Sequence, residues 1–196
     1  MLKKDFDVFK QKYLADCKTQ SSNSCVLELY RLMLEKERVD SDYWSEEHGA
    51  ADIIRIFENC FTDHDWKELE TDLPNWTLAQ LELFTEAIMG GYHSYTENGV
   101  YYEHYDVESL TKTIPNRLSL LIPILRIEKE RGPGYPELSI IIRQNIHFIN
   151  DHFDIVLRKN PENLQTIQQI VELSGIAASQ DQGAIDLKNK IKKAGN

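Results

Sequence analysis

Three cysteines, no apolar run long enough to cross a bilayer, no glycine-rich phosphate loop and, from Glu68 to Thr111, no lysine or arginine: these absences narrow the possibilities first. Cys17, Cys25 and Cys60 are an odd set without short paired spacing, so neither a disulfide framework nor a thiolate zinc site is indicated and buried free thiols are expected. No stretch approaches the roughly 18 apolar residues of a membrane span. Met1 to Lys12 has no apolar signal-peptide core, so the expected location is cytoplasmic, with no membrane partner. There is no G-x-S-x-G and no Rossmann fingerprint, and in Gly132-Pro133-Gly134 the proline removes a donor that a phosphate cradle needs. The sequence therefore names no catalytic residue and no cofactor.

Charge is plentiful but uneven. The 196 residues carry a net −10, and Glu28 to Glu108 holds 20 acidic against 5 basic residues, with 12 acidic and 17 basic elsewhere. Such a middle repels nucleic-acid phosphates, which argues against a nucleic-acid partner, and attracts a basic protein surface with association rates raised roughly 10- to 10³-fold. The plain alternative is a solvated face that serves solubility. A hydrophobic content of 41% places the chain among globular domains rather than disordered ones.

The most legible stretch is Phe61 to Gly90, and it reads as a helical hairpin. Thr62 is an N-cap with Asp63 and Asp65 in the first turn, Pro74 stops the helix near Asp72, and Thr77 caps the next one. Leu78, Leu81, Phe84, Thr85 and Ile88 then share a face on which Trp66, Leu69 and Trp76 can pack. Before it, helices are expected over Lys4 to Lys18, from a Ser24 cap with Val26, Leu27, Tyr30, Met33 and Leu34 inward, and from Ala50 to Cys60 with Ile53, Ile54 and Phe57 inward. After it, helix resumes at Val107, with Pro115 in a first turn and a kink at Pro123. Gly132 to Pro136 is the strongest breaker. Beyond it, Glu137 to Arg158 reads as one helix and the most buried one, Asn160-Pro161 opens another that ends near Gly175, and Asp181 to Lys193 is the last. The expected fold is all-α, eight or nine helices in successive antiparallel hairpins, as in a short HEAT-like α-solenoid. One domain, 1–196, is expected, with a subdivision conceivable at Gly132 to Pro136.

Gly90 to Asp106 breaks the helical pattern with five of the nine tyrosines, two histidines and no cation. It reads as a loop in which Asn98-Gly99 permits either irregular structure or a short hairpin. Tyrosine combines large contact area with few rotamers, so this segment is a candidate interface. Its bland counterpart is a plug over the helix ends. The candidate partner-binding residues are Tyr92, Tyr95, Glu97, Tyr101, Tyr102, Glu103, Tyr105 and Asp106, joined by Asp63, Asp65 and Glu68 of the hairpin.

Two groups look like metal ligands and are discounted. His147 and Asp151 have i, i+4 spacing, but His152 is about 140° from His147 around the helix, unlike the same-face pair of an H-E-x-x-H site, and Asp154 adds no convergence. His93, Glu97, Glu103 and His104 have no spacing that enforces a site. No metal is expected.

The run from Ala51 to Gly91, through Thr62, Asp65, Trp66, Leu69, Leu73, Pro74 and Trp76, resembles the helical hairpin of small HEAT-like bacterial immunity proteins found beside polymorphic toxins. The likeness spans about forty residues, all scaffold positions. It implies a cytoplasmic, non-catalytic inhibitor that binds one cognate protein toxin with a basic surface, such as a nuclease. A helical adaptor and a metal-dependent hydrolase using the His147 group are the alternatives. No heptad stripe fixes an oligomeric state.

Overall fold

Side-chain caps and breakers decide where the helices begin and end. A computed structural model describes residues 1–13, 17–38, 49–90, 93–97, 100–104, 107–132 and 138–195. Among them run α1 Lys3–Lys10, α2 Ser24–Lys36, α3 Gly49–Cys60, α4 Asp63–Asp72, α5 Leu78–Met89, β1 His93–Glu97, β2 Val100–His104, α6 Val107–Arg131, α7 Leu138–Gln144, α8 Ile146–Lys159, α9 Asn163–Leu173 and α10 Gln182–Ala194. None of these helices is long and apolar enough to cross a membrane. The class is helical, interrupted by one two-stranded ribbon.

Two reciprocal caps build the α4–α5 hairpin. The Asp65 carboxylate accepts from both the backbone N–H and the hydroxyl of Thr62, each at 2.6 Å. Thr77 N–H donates to Gln80 Oε1 at 3.0 Å and Gln80 N–H donates to Thr77 Oγ1 at 3.2 Å. Each cap satisfies N–H groups that a helix start leaves unpaired. Between them Leu73–Asn75 forms a 3-10 turn around Pro74. Leu69, Leu73, Trp76, Leu81, Phe84, Thr85 and Ile88 are all buried.

Aromatic rings thread this core. Tyr30 of α2 meets Trp76 edge-on at 5.0 Å between centroids, and Trp76 meets Phe84 at 5.2 Å. Trp66 packs instead on Phe57 at 4.5 Å and Phe61 at 4.9 Å, so it belongs to the α3–α4 corner rather than to α5. Helix α6 touches α3, α4, α5, α7, α8 and α9 and so joins the front and back of the molecule. One buried cluster runs from Phe6 to Leu187.

The structure corrects several expectations. Helix α2 is capped by Asn23, whose Oδ1 accepts from Cys25 N–H at 2.8 Å and Val26 N–H at 3.1 Å, one residue before the expected Ser24. The first helix ends at Lys10, followed by a 3-10 turn, Gln11–Tyr13. Pro115 and Pro123 both lie inside α6, so Pro115 is not a first-turn residue. The single helix expected over 137–158 is broken at Asn145, whose side-chain amide donates to the Ile141 carbonyl at 3.0 Å and offers the backbone a local alternative to helix. Nor is that stretch the most buried: α7 buries three residues and α8 four, against eight in α2 alone.

Cys25 and Cys60 are not free thiols: they form a disulfide between the first turn of α2 and the last residue of α3, with Cα atoms 5.7 Å apart. Sequence spacing could not show it, because the bond depends on which helix ends meet in space. Closing a loop with a sequence separation of 35 restricts the unfolded chain by up to about 4 kcal/mol. Cys17 is the free cysteine, and burial pushes its thiol up.

Candidate partner-binding site

The carboxylates of the acidic middle divide into those that hold the fold and those left at its surface. Asp72 is buried and accepts from the Thr19 hydroxyl, Gln20 N–H at 2.7 Å, Ser21 N–H at 3.2 Å, the Asn75 amide at 3.1 Å and Trp76 Nε1–H at 3.0 Å. It ties the segment before α2 to the hairpin turn. Asp65 is also buried, with one oxygen on Thr62 and the other accepting from Asn23 Nδ2 at 2.6 Å. Burial raises its carboxyl, but the hydrogen bonds from Thr62 and Asn23 outweigh that and hold it below the usual range. Asp65 therefore belongs to the buried side of α4, while Asp63 and Glu68 reach its surface.

That surface is open. Asp63, His64, Lys67, Glu70 and Thr71 are exposed on α4, and Glu68 is half-exposed. A groove of about 270 Å³ runs between α4 and α6, lined by Asp63, Trp66, Lys67, Glu70, Asn116, Ser119 and Leu120. On α5, Glu82 and Glu86 sit one turn apart, half-buried, and burial alone pushes both carboxyls up. Among the described residues none of Asp63, Glu68, Glu70, Glu82 and Glu86 has an ion-pair partner. Glu70, Glu82 and Glu86 went unremarked in the sequence, although the i, i+4 spacing on the outer face of an amphipathic helix was the signal that could have found the last two.

The tyrosine segment is a hairpin of strands, not an irregular loop. Its register pairs His93 with His104, Ser94 with Glu103, Tyr95 with Tyr102, Thr96 with Tyr101 and Glu97 with Val100. Aromatic and β-branched residues favour the pleat, and Asn98-Gly99 supplies the two-residue connection between the strands. Positions 95 and 102 therefore fall on one face of the ribbon and positions 96, 101 and 103 on the other. Tyr92, Tyr105 and Asp106 lie outside the described residues, as do Asn98 and Gly99.

Arg117 anchors the point from which this ribbon departs. Fully buried, it donates from Nε to the Ile88 carbonyl at 2.7 Å and from Nη2 to the Gly90 carbonyl, closing the end of α5. Its guanidinium carbon lies 4.7 Å from the Phe148 ring centre. Burial lowers its pKa to about 9, with the Glu58 charge acting against that, so it remains a cation at neutral pH.

The histidine groups separate in space. His147 and Asp151 line a groove of about 520 Å³ between α8 and α10, together with Asn150, Asp186 and Lys190. His152 faces elsewhere, its ring tilted against Phe148 at 4.8 Å between centres with Nδ1 2.7 Å from the Phe148 carbonyl, and Asp154 lines a different groove beside Pro161. Burial lowers the His152 pKa. His93 and His104 are register partners in the ribbon, while Glu97 is four strand positions from His93, about 13 Å along the strand. Among the described residues no three His, Cys, Asp or Glu side chains are grouped to hold a metal ion. No family model, curated protein or solved structure matches this chain.

Proposed function

We propose that this chain is a non-catalytic protein inhibitor of the immunity type, which neutralises a cognate toxin by covering a basic surface on it. The observation that carries the reading is the set of carboxylates on α4 and α5 that have no ion-pair partner among the described residues: Asp63 and Glu70, which line a groove with Trp66, Glu68 at the surface of α4, and Glu82 and Glu86 held half out of water. A half-desolvated carboxylate without a cation is destabilising for the free chain, and a cationic partner offsets that penalty on binding. The tyrosine ribbon supplies the complementary element, because its sequence places aromatic residues in a paired two-stranded segment. Partner contacts are assigned to Tyr92, Tyr95, Glu97, Tyr101, Tyr102, Glu103, Tyr105 and Asp106 with Asp63 and Glu68, while Asp65 positions α4. The scaffold reading that accompanies this is a short HEAT-like stack of antiparallel helical hairpins, acting in the cytoplasm.

The test is a growth assay. A toxin domain encoded beside this chain should kill cells when expressed alone and be tolerated when the chain is co-expressed. Protection should fall when Asp63 and Glu70 are both changed to lysine. If no neighbouring product is toxic, or if toxicity is indifferent to the chain, the reading is wrong.

A further inference from the structure

The two cysteines of the disulfide are not equally exposed. Cys25 is 8% exposed, packed into the first turn of α2, and its Sγ lies 3.0 Å from the Cys60 carbonyl oxygen. Cys60 is the last residue of α3 and is only half-buried. Thiol–disulfide exchange proceeds by in-line attack, so accessibility decides which sulfur reacts with a reagent from solvent. After reduction the Cys25 S–H can donate to the Cys60 carbonyl, which keeps Cys25 beside Cys60 and away from solvent.

The corner around the pair is held independently. Asn23 caps α2 and donates to Asp65, and Asp65 closes the cap at Thr62, two residues beyond Cys60. Opening the disulfide therefore leaves the Asn23–Asp65 link joining the start of α2 to the start of α4, which begins three residues beyond Cys60, and this tether keeps the cysteines within reach of each other.

We infer that Cys25–Cys60 is a reversible thiol–disulfide exchange site for small-molecule disulfides of the glutathione class, in which Cys60 reacts first and Cys25 resolves. The Cys60 thiolate attacks one sulfur of glutathione disulfide; that S–S bond breaks, a Cys60–glutathione bond forms and one glutathione thiolate leaves. The Cys25 thiolate then attacks the Cys60 sulfur, forming the internal bond and expelling the second glutathione. Two protein thiols are oxidised, one small disulfide is reduced to two thiols, and the two protons pass from protein to glutathione. Reduction runs the same steps backward, beginning at Cys60. This inference is independent of the partner-binding reading.

The experiment uses the full chain carrying Cys17→Ser, reduced and then exposed to glutathione disulfide, with acid quench, alkylation and peptide mass mapping. Adding Cys25→Ser should give a stable mixed disulfide on Cys60, whereas adding Cys60→Ser should leave Cys25 modified about tenfold more slowly or not at all. Without either addition, the earliest quenched samples should carry glutathione on Cys60 and the last ones the internal bond. Equal rates at the two cysteines, early modification on Cys25, or two alkylatable thiols persisting in excess reagent would overturn the inference. Circular dichroism of each variant reports folding, and should either single-cysteine variant be unfolded, the time course of the Cys17→Ser chain decides between the same outcomes.

Discussion

Asn23 holds two helices at once: its Oδ1 caps α2, and its Nδ2 donates to Asp65 Oδ1 at 2.6 Å in the first turn of α4. Replacing Asp65 by alanine removes the α4 cap and strands the Asn23 amide, so the chain should lose about 2 kcal/mol. The sign with pH follows from the lowered carboxyl. Its contribution is complete above the ordinary aspartate value of about 3.9 and is lost as pH falls through its lower folded value. Urea midpoints should therefore differ strongly between the chain and its Asp65→Ala variant at neutral pH and converge in acid.

Asp72 should be the more damaging position. Alanine there leaves the Thr19 hydroxyl, two backbone N–H groups, the Asn75 amide and the Trp76 indole without their acceptor. Each stranded buried donor costs about 1–3 kcal/mol, reduced by whatever water enters, and a total loss of about 3 kcal/mol or more is expected. Asp72→Asn should recover only part of it. Chemical denaturation followed by tryptophan emission measures both.

Glu82 and Glu86 run the opposite way. Their carboxyls are raised by burial, so the folded state holds protons that the unfolded chain releases, and the associated stability is present at low pH and lost as pH rises through the raised values. Changing both to glutamine should stabilise the free chain at neutral pH, by no more than about 1 kcal/mol, and flatten that part of the stability–pH curve. The same double change should weaken partner binding. Thermal melts across the acidic range read the first effect and equilibrium titration reads the second.

Where α8 meets α10, a methyl group is too much. A Cβ at Gly183 would stand 2.7 Å from Ile146 Cγ2, so Gly183→Ala should destabilise the chain by about 1–2 kcal/mol. Ile146→Ala in the same chain makes room, and the two changes together should cost less than their separate effects added. Additive losses in a double-mutant cycle would show that the helices relax apart instead.

The parts of the fold that were legible in the sequence are those governed by near neighbours. Thr62 with Asp65 and Thr77 with Gln80 are three residues apart, and Pro74 acts on its own turn, so the α4–α5 hairpin was readable. The Asn98-Gly99 pair likewise allows the ribbon, but it is equally compatible with an irregular loop. What could not be read depends on distant segments meeting. Asp72 gathers donors from residues about fifty positions earlier, Cys60 finds Cys25 across a helical corner, and Arg117 reaches the end of α5 from the next helix. Asp65 shows the consequence for the candidate site: by charge alone it matched Asp63, and only the Asn23 contact separates scaffold from surface.

The measurement that bears most directly on the central claim is the kinetics of toxin binding as ionic strength is varied. Association should slow as salt rises, because unpaired carboxylates steer a basic partner. Glu97→Lys with Glu103→Lys should slow association and flatten its salt dependence, while Tyr95, Tyr101 and Tyr102 changed to alanine should mainly speed dissociation, with circular dichroism unchanged in both. An association rate indifferent to salt, together with unaltered affinity in both folded variants, would contradict the account.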